Sequence, residues 1–145
     1  MRYPDKAKSQ LNFGANKQLV HKSSQKFVST AVTISDEIIT SGDMDLNKKI
    51  IQHPSATFFI RVKGISMQYS GVQPNDVIVV DRSVPPQSQD LVLAIYNGEF
   101  LLKTYFHKNE HYELYADTGK PIIPQKDDDF EIWGVVTYVI HQAKL

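Results

Sequence analysis

The sequence predicts a compact, mostly antiparallel β fold. From residue 57 onward the chain is a succession of short runs rich in Val, Ile, Phe, Tyr and Thr, residues that suit a pleated, half-buried surface. Two of these runs are separated by Asn97-Gly98 alone, the strongest short-range hairpin signal a sequence can carry. No long amphipathic helical period stands out anywhere. Many short strands without long helices argue for this fold class.

Taken in order, residues 1–45 read as a flexible N-terminal arm and residues 46–145 as the body. The arm is rich in Lys, Ser, Gln, Asn and Thr, with few large apolar residues, Phe13, Leu19, Val20, Phe27 and Val28 among them. Such a segment buries too little area to order itself. Residues 1–30 hold six basic side chains against Asp5, six minus one giving +5, and the remainder carries −5 because the net charge is zero. A basic arm on an acidic body points to self-docking or an acidic partner, set against the plainer reading of a solvated terminus.

In the body, Thr57–Lys63 reads as the first strand, broken by Gly64. Ser66 to Ser70 can start a short helical turn. Gln73-Pro74-Asn75-Asp76 is a turn before the apolar strand Val77–Val80, and Val84-Pro85-Pro86-Gln87-Ser88 is a loop. Leu91–Tyr96 and Glu99–Phe106 form the hairpin, with Asn97-Gly98 as a type I′ turn because both positions need positive φ. Further strands are expected at Tyr112–Ala116 and Ile132–Ile140.

A chain of 145 residues fits one domain with a real core. It has no cysteine, hence no disulfide frame or thiolate metal site. It has no apolar leader and no run of transmembrane length, so a cytoplasmic protein is expected. Zero net charge points to neither nucleic acid nor membrane.

The chemistry lies in Ser66, within Gly64-Ile65-Ser66-Met67, and Lys103, thirty-seven residues later in an apolar strand. Together they are the raw material of a Ser–Lys hydrolytic dyad, which needs no metal or cofactor. A lysine acts as a base only when neutral, and its ordinary pKa is about 10.4. Apolar surroundings such as Phe100, Leu101, Leu102, Tyr105 and Phe106 disfavour the charged form. Taken alone, Ser66 reads as a surface or capping serine and Lys103 as a strand lysine keeping its head in water. Gln68 breaks the G-x-S-x-G pattern of a hydrolase elbow.

Other polar groups read more plainly. His107 and His111 flank a hairpin loop with no third metal ligand in evidence, and Asp127-Asp128-Asp129 reads as a solvated acidic turn. His53 suits a structural role at the entry to the first strand, and Trp133 a core or dimer-interface role.

Five ordered blocks resemble the LexA/UmuD autopeptidase family. They are Leu46-Asn47 with Ile51–Phe59, Gly64-Ile65-Ser66-Met67, Asn75–Asp81, Asp90-Leu91-Val92 with Gly98-Glu99-Phe100 and Lys103, and Trp133-Gly134-Val135-Val136. The missing DNA-binding domain favours the UmuD branch. The resemblance implies a LexA/UmuD-type β fold, a homodimer and self-cleavage stimulated by a RecA–ssDNA filament. It implies a trimmed form that serves a UmuC-like Y-family translesion polymerase in SOS mutagenesis, without sequence-specific DNA binding. It assigns Ser66 as nucleophile and Lys103 as general base, with the N–H groups of Ser66 and Met67 as oxyanion donors.

The chain departs from the family at the scissile bond. The gapless count places that bond at Thr30-Ala31, where relatives carry Ala-Gly or Cys-Gly. Glycine lets the backbone approach a nucleophile closely, and alanine restricts that freedom. Slow or conditional cleavage at Thr30-Ala31 is the favoured expectation. The alternatives are cleavage of a neighbouring bond within Val28–Val32 and a non-cleaving interaction module that has lost its usual bond. Asn75 and Gln89 also replace usual glycines, Ile65 replaces a common aspartate, and the loop at Asp117-Thr118-Gly119 is shorter.

Overall fold

The computed structural model describes residues 36–64 and 67–144. It divides into two units, one ending at Met44 and the other beginning at Asp45. Residues 1–35 of the expected arm lie outside the described residues. In the first unit, Thr40 and Asp43 close a turn, with Thr40 Oγ1 donating to Asp43 Oδ2 at 2.7 Å.

The second unit opens with α1, Leu46–Ile50, capped by Asp45, whose carboxylate accepts the N–H groups of Asn47 at 3.0 Å and Lys48 at 3.4 Å. The sequence reading did not expect this helix. Five residues are too few to show a period, and Asp45 is its one local signal. A 3-10 turn at Pro54–Ala56 leads into the strands. These are β1 Thr57–Arg61, β2 Val77–Asp81, β3 Leu91–Tyr96, β4 Glu99–Lys108, β5 His111–Tyr115 and β6 Phe130–Ile140. They form one six-stranded sheet in the order β1-β2-β6-β3-β4-β5, and every neighbouring pair is antiparallel. The expected mostly β, antiparallel class is the class observed.

The last strand therefore lies in the middle. It carries two bulges: Trp133 is the extra residue against β3 and Thr137 the extra residue against β2. Bulges bend a strand and increase its twist, so β6 curls the sheet. Alternation then fills both faces. Leu93 joins Met67, Val72, Ile78 and Val80 in one buried cluster. Val92 and Ala94 join Tyr105, Leu114 and Val135 in the other. The β3–β4 turn has φ of 48° at Asn97 and 85° at Gly98, as a type I′ hairpin requires.

Two residues that stand in place of family glycines hold left-handed backbone, Asn75 at φ 74° and Gln89 at φ 80°. Asparagine tolerates this region, whereas an ordinary side chain there costs about 1–2 kcal/mol. Glycine's greater freedom in the unfolded chain takes back about 0.5–1 kcal/mol of any gain. Gln89→Gly is thus expected to stabilise the fold by about 0.5–1 kcal/mol, read from the urea midpoint at unchanged slope.

Buried carboxylates pin the sheet. Asp76 and Asp81 bracket β2, each held by a half-exposed histidine: His141 Nδ1 donates to Asp76 at 2.6 Å and His53 Nδ1 to Asp81 at 2.6 Å. This is the structural role expected of His53. Burial pushes both carboxyls up. The Gln73 N–H and His141 at Asp76, and Ser83 and His53 at Asp81, outweigh it and hold both below the ordinary range.

On the β4–β5 hairpin, Glu113 accepts from Lys108 Nζ at 2.8 Å, Tyr115 Oη at 2.6 Å and His111 Nε2 at 2.9 Å. These bonds hold its carboxyl down at about 2, against an ordinary value of 4.5. A carboxyl depressed in the folded state contributes stability that is complete above its unfolded value and fades as pH falls toward the folded one. Glu113→Gln should therefore melt below the parent at neutral pH. The gap should narrow steadily as pH falls from about 4.5 toward 2, as followed by circular dichroism.

Candidate active site

β3 pairs with Glu99–Thr104 of β4, whereas β5 pairs only with Thr104–Lys108. Among the described residues, the β4 stretch from Glu99 to Lys103 is therefore laddered on one side only. β1 is likewise paired only to β2. Both half-paired segments line one cleft of about 260 Å³. Ile60–Gly64 contribute from the β1 side and Phe100–Lys103 from β4, with Met67, Val72, Ile78 and Leu93 supplying apolar surface between them.

Lys103 is half-buried in this cleft, opposite Val92 in register, and its side chain makes no hydrogen bond or ion pair with any described residue. Gly64 has φ of +96°, a conformation that suits glycine, and a Cβ built there would meet nothing within 4 Å. Gly64 thus presents bare backbone to open space. Met67 is a firm anchor: its side chain is 3% exposed, and its carbonyl accepts the N–H groups of Ser70 and Val72, each at 3.1 Å. Its own N–H has no acceptor among the described residues. The short helical turn expected from Ser66 onward is a 3-10 turn at Gln68–Ser70.

The structure thus brings Lys103 together with Gly64 and Met67. Ser66 lies outside the described residues, as do Thr30 and Ala31. The other polar groups singled out from the sequence lie elsewhere. His107 packs its ring 4.9 Å from that of Tyr112, and His111 serves Glu113. Asp128 is more than a solvated acid, since it accepts the Gln125 N–H at 2.8 Å and Tyr96 Oη at 2.9 Å. Those bonds lower its pKa and dock the acidic turn on the hairpin. Trp133 is half-buried between Phe58 and Phe100, with ring centroids 5.2 and 5.8 Å away, and Arg82 lies over its face at 4.4 Å.

Sequence reasoning missed Ser70, whose Oγ donates to Asp117 Oδ1 in the loop after β5. The two are forty-seven residues apart, and no local pattern joins them. Among the described residues no helix is long and apolar enough to cross a membrane, and no group of three or more side chains is arranged to hold a metal ion.

Comparison with known proteins gives a consistent match. The Peptidase S24-like family profile covers residues 24–137. Protein ImpA of Salmonella typhimurium is 39% identical over 105 residues, 70% of this chain and 70% of ImpA. Protein SamA of Salmonella typhimurium strain LT2 is 35% identical over 105 residues, 72% of this chain and 74% of SamA. Protein MucA of Escherichia coli is 34% identical over 98 residues, 66% of this chain and 67% of MucA.

Proposed function

The chain belongs to the Peptidase S24-like family, and from that membership we propose that it is a UmuD-like serine peptidase that cleaves its own arm. The observation that carries the reading is the shared cleft: Lys103 lines it with Gly64 and Met67, the described residues on either side of Ser66. Half-paired strand edges suit an extended peptide, which can add itself to the sheet through backbone hydrogen bonds.

The chemistry follows from the groups. Ser66 Oγ attacks the Thr30 carbonyl carbon while its proton passes to Lys103 Nζ. The N–H groups of Ser66 and Met67 receive the oxyanion. Collapse breaks the Thr30–Ala31 bond, and Lys103 returns the proton to the departing Ala31 amine. Water then hydrolyses the ester, with Lys103 again acting as base.

The trimmed protein acts as a homodimer in the cytoplasm, as an accessory subunit of a UmuC-like Y-family translesion polymerase, with a RecA–ssDNA filament as the trigger. Incubation with RecA, ssDNA and nucleotide, or at alkaline pH, where lysine side chains lose their proton, is expected to remove about thirty residues. That length is set by the position of Thr30. Ser66→Ala should stay intact. An unchanged mass in parent and variant alike refutes the peptidase reading.

Alanine in place of glycine at position 31 favours a second reading, a UmuD-like interaction module that no longer cuts itself. In that case Ser66→Ala leaves damage-induced mutagenesis at the parental level. A peptidase would lose it.

A further inference from the structure

We infer that Ser70 and Asp117 form a positioning pair that fixes the turn following the nucleophile in sequence. The inference rests on the peptidase reading above and deepens it. The turn is tied mainly to itself. Met67 holds Ser70 and Val72 through its carbonyl, and Gly71 N–H donates to Gln68 O at 3.2 Å. Gln68 Nε2 donates to Gln73 Oε1, and Gln73 Nε2 donates to the Gln68 carbonyl, each at 3.3 Å. Ser70 Oγ, at the end of this turn, donates to Asp117 Oδ1 in the loop after β5.

Packing supports the same junction independently. Ala116, next to Asp117, packs against the buried cluster that contains Met67 and Val72, which bracket Ser70. The far loop is itself fixed, because Leu114 and Ile122 exchange backbone bonds at 2.9 and 2.8 Å. Asp117 therefore stands on a rigid base and grips a turn that begins one residue after Ser66. Ser70 is exposed, so the bond adds little to global stability. Its effect falls on geometry. A displacement of about 1 Å at a reacting group costs up to about a hundredfold in rate.

The test uses the full chain. Self-cleavage is timed by mass spectrometry for the parent, Ser70→Ala, Asp117→Ala, the double variant and Ser70→Thr. In parallel, each protein is treated with a fluorophosphonate. Ser66 Oγ bonds to its phosphorus, fluoride leaves and Lys103 takes the proton, so labelling reports nucleophile alignment without the arm.

Ser70→Ala is expected to slow both reactions by about ten- to a hundredfold at nearly parental melting temperature. The double variant should be no slower than the slower single one, and Ser70→Thr, which keeps the hydroxyl, should restore the rate. A parent that labels while Ser70→Ala labels equally fast overturns the positioning role alone. So does failure of Ser70→Thr to restore the rate. A parent that neither cleaves nor labels overturns the peptidase reading and this inference with it.

Discussion

Lys103→Met is expected to slow self-cleavage by about a hundred- to ten-thousandfold, the usual contribution of a positioned general base. Methionine keeps the length and apolar stem of lysine, so β4 should retain its register opposite Val92. The loss should therefore appear in the rate and hardly in the melting curve. A time course of chain mass at alkaline pH measures the first, and a thermal scan of the same sample the second. Cleavage of Lys103→Met at the parental rate would remove lysine from the mechanism. A large fall in melting temperature would instead mark Lys103 as a structural residue of the cleft.

Gly134→Ala is expected to be the most damaging single methyl group in the body. Gly134 pairs with Leu93 beside the Trp133 bulge. A Cβ there would sit 2.5 Å from Val80 Cγ1 and 3.4 Å from the Asp81 carbonyl. Val80 is fully buried and β-branched, so it has neither space nor a spare rotamer with which to yield. Forcing a methyl group into such a core costs about 1–3 kcal/mol. Urea unfolding should show a lower midpoint at unchanged slope. Val80→Ala opens room at the clash, so the double variant should lose less than the two single losses added together. Strict additivity would place the strain elsewhere.

Much of this fold was legible because its signals are local. Asn97-Gly98 fixed one hairpin by turn chemistry alone, and the apolar runs marked the strands to within a few residues. What stayed hidden was non-local. Nothing in Phe130–Ile140 tells that this strand lies between β2 and β3, because insertion between two earlier strands is decided by packing across the whole sheet. The bulges at Trp133 and Thr137 are equally silent, although Gly134 hints at close approach. At the site, Gly64, Met67 and Lys103 were legible as motif members, and Gln89 as a missing glycine. The Ser70–Asp117 bond was not, since it joins an exposed serine and a half-buried aspartate from segments far apart in the chain.

The central place of β6 has a consequence for the order of events during synthesis. One wall of the cleft comes from β1 and the other from β4, and in the sheet β2 and β3 are joined only through β6, which follows all of them in sequence. A nascent chain that has not yet released residues 130–140 holds two unconnected fragments of sheet. It has Gly64, Met67 and Lys103 but not the cleft they line. Assembly through pairings distant in sequence is slow. On the peptidase reading, the arm is therefore protected until β6 has joined the sheet. If the arm is cleaved as proposed, a chain arrested before Phe130 should keep it under conditions that trim the 145-residue chain, so β6 works as a timer as well as a scaffold.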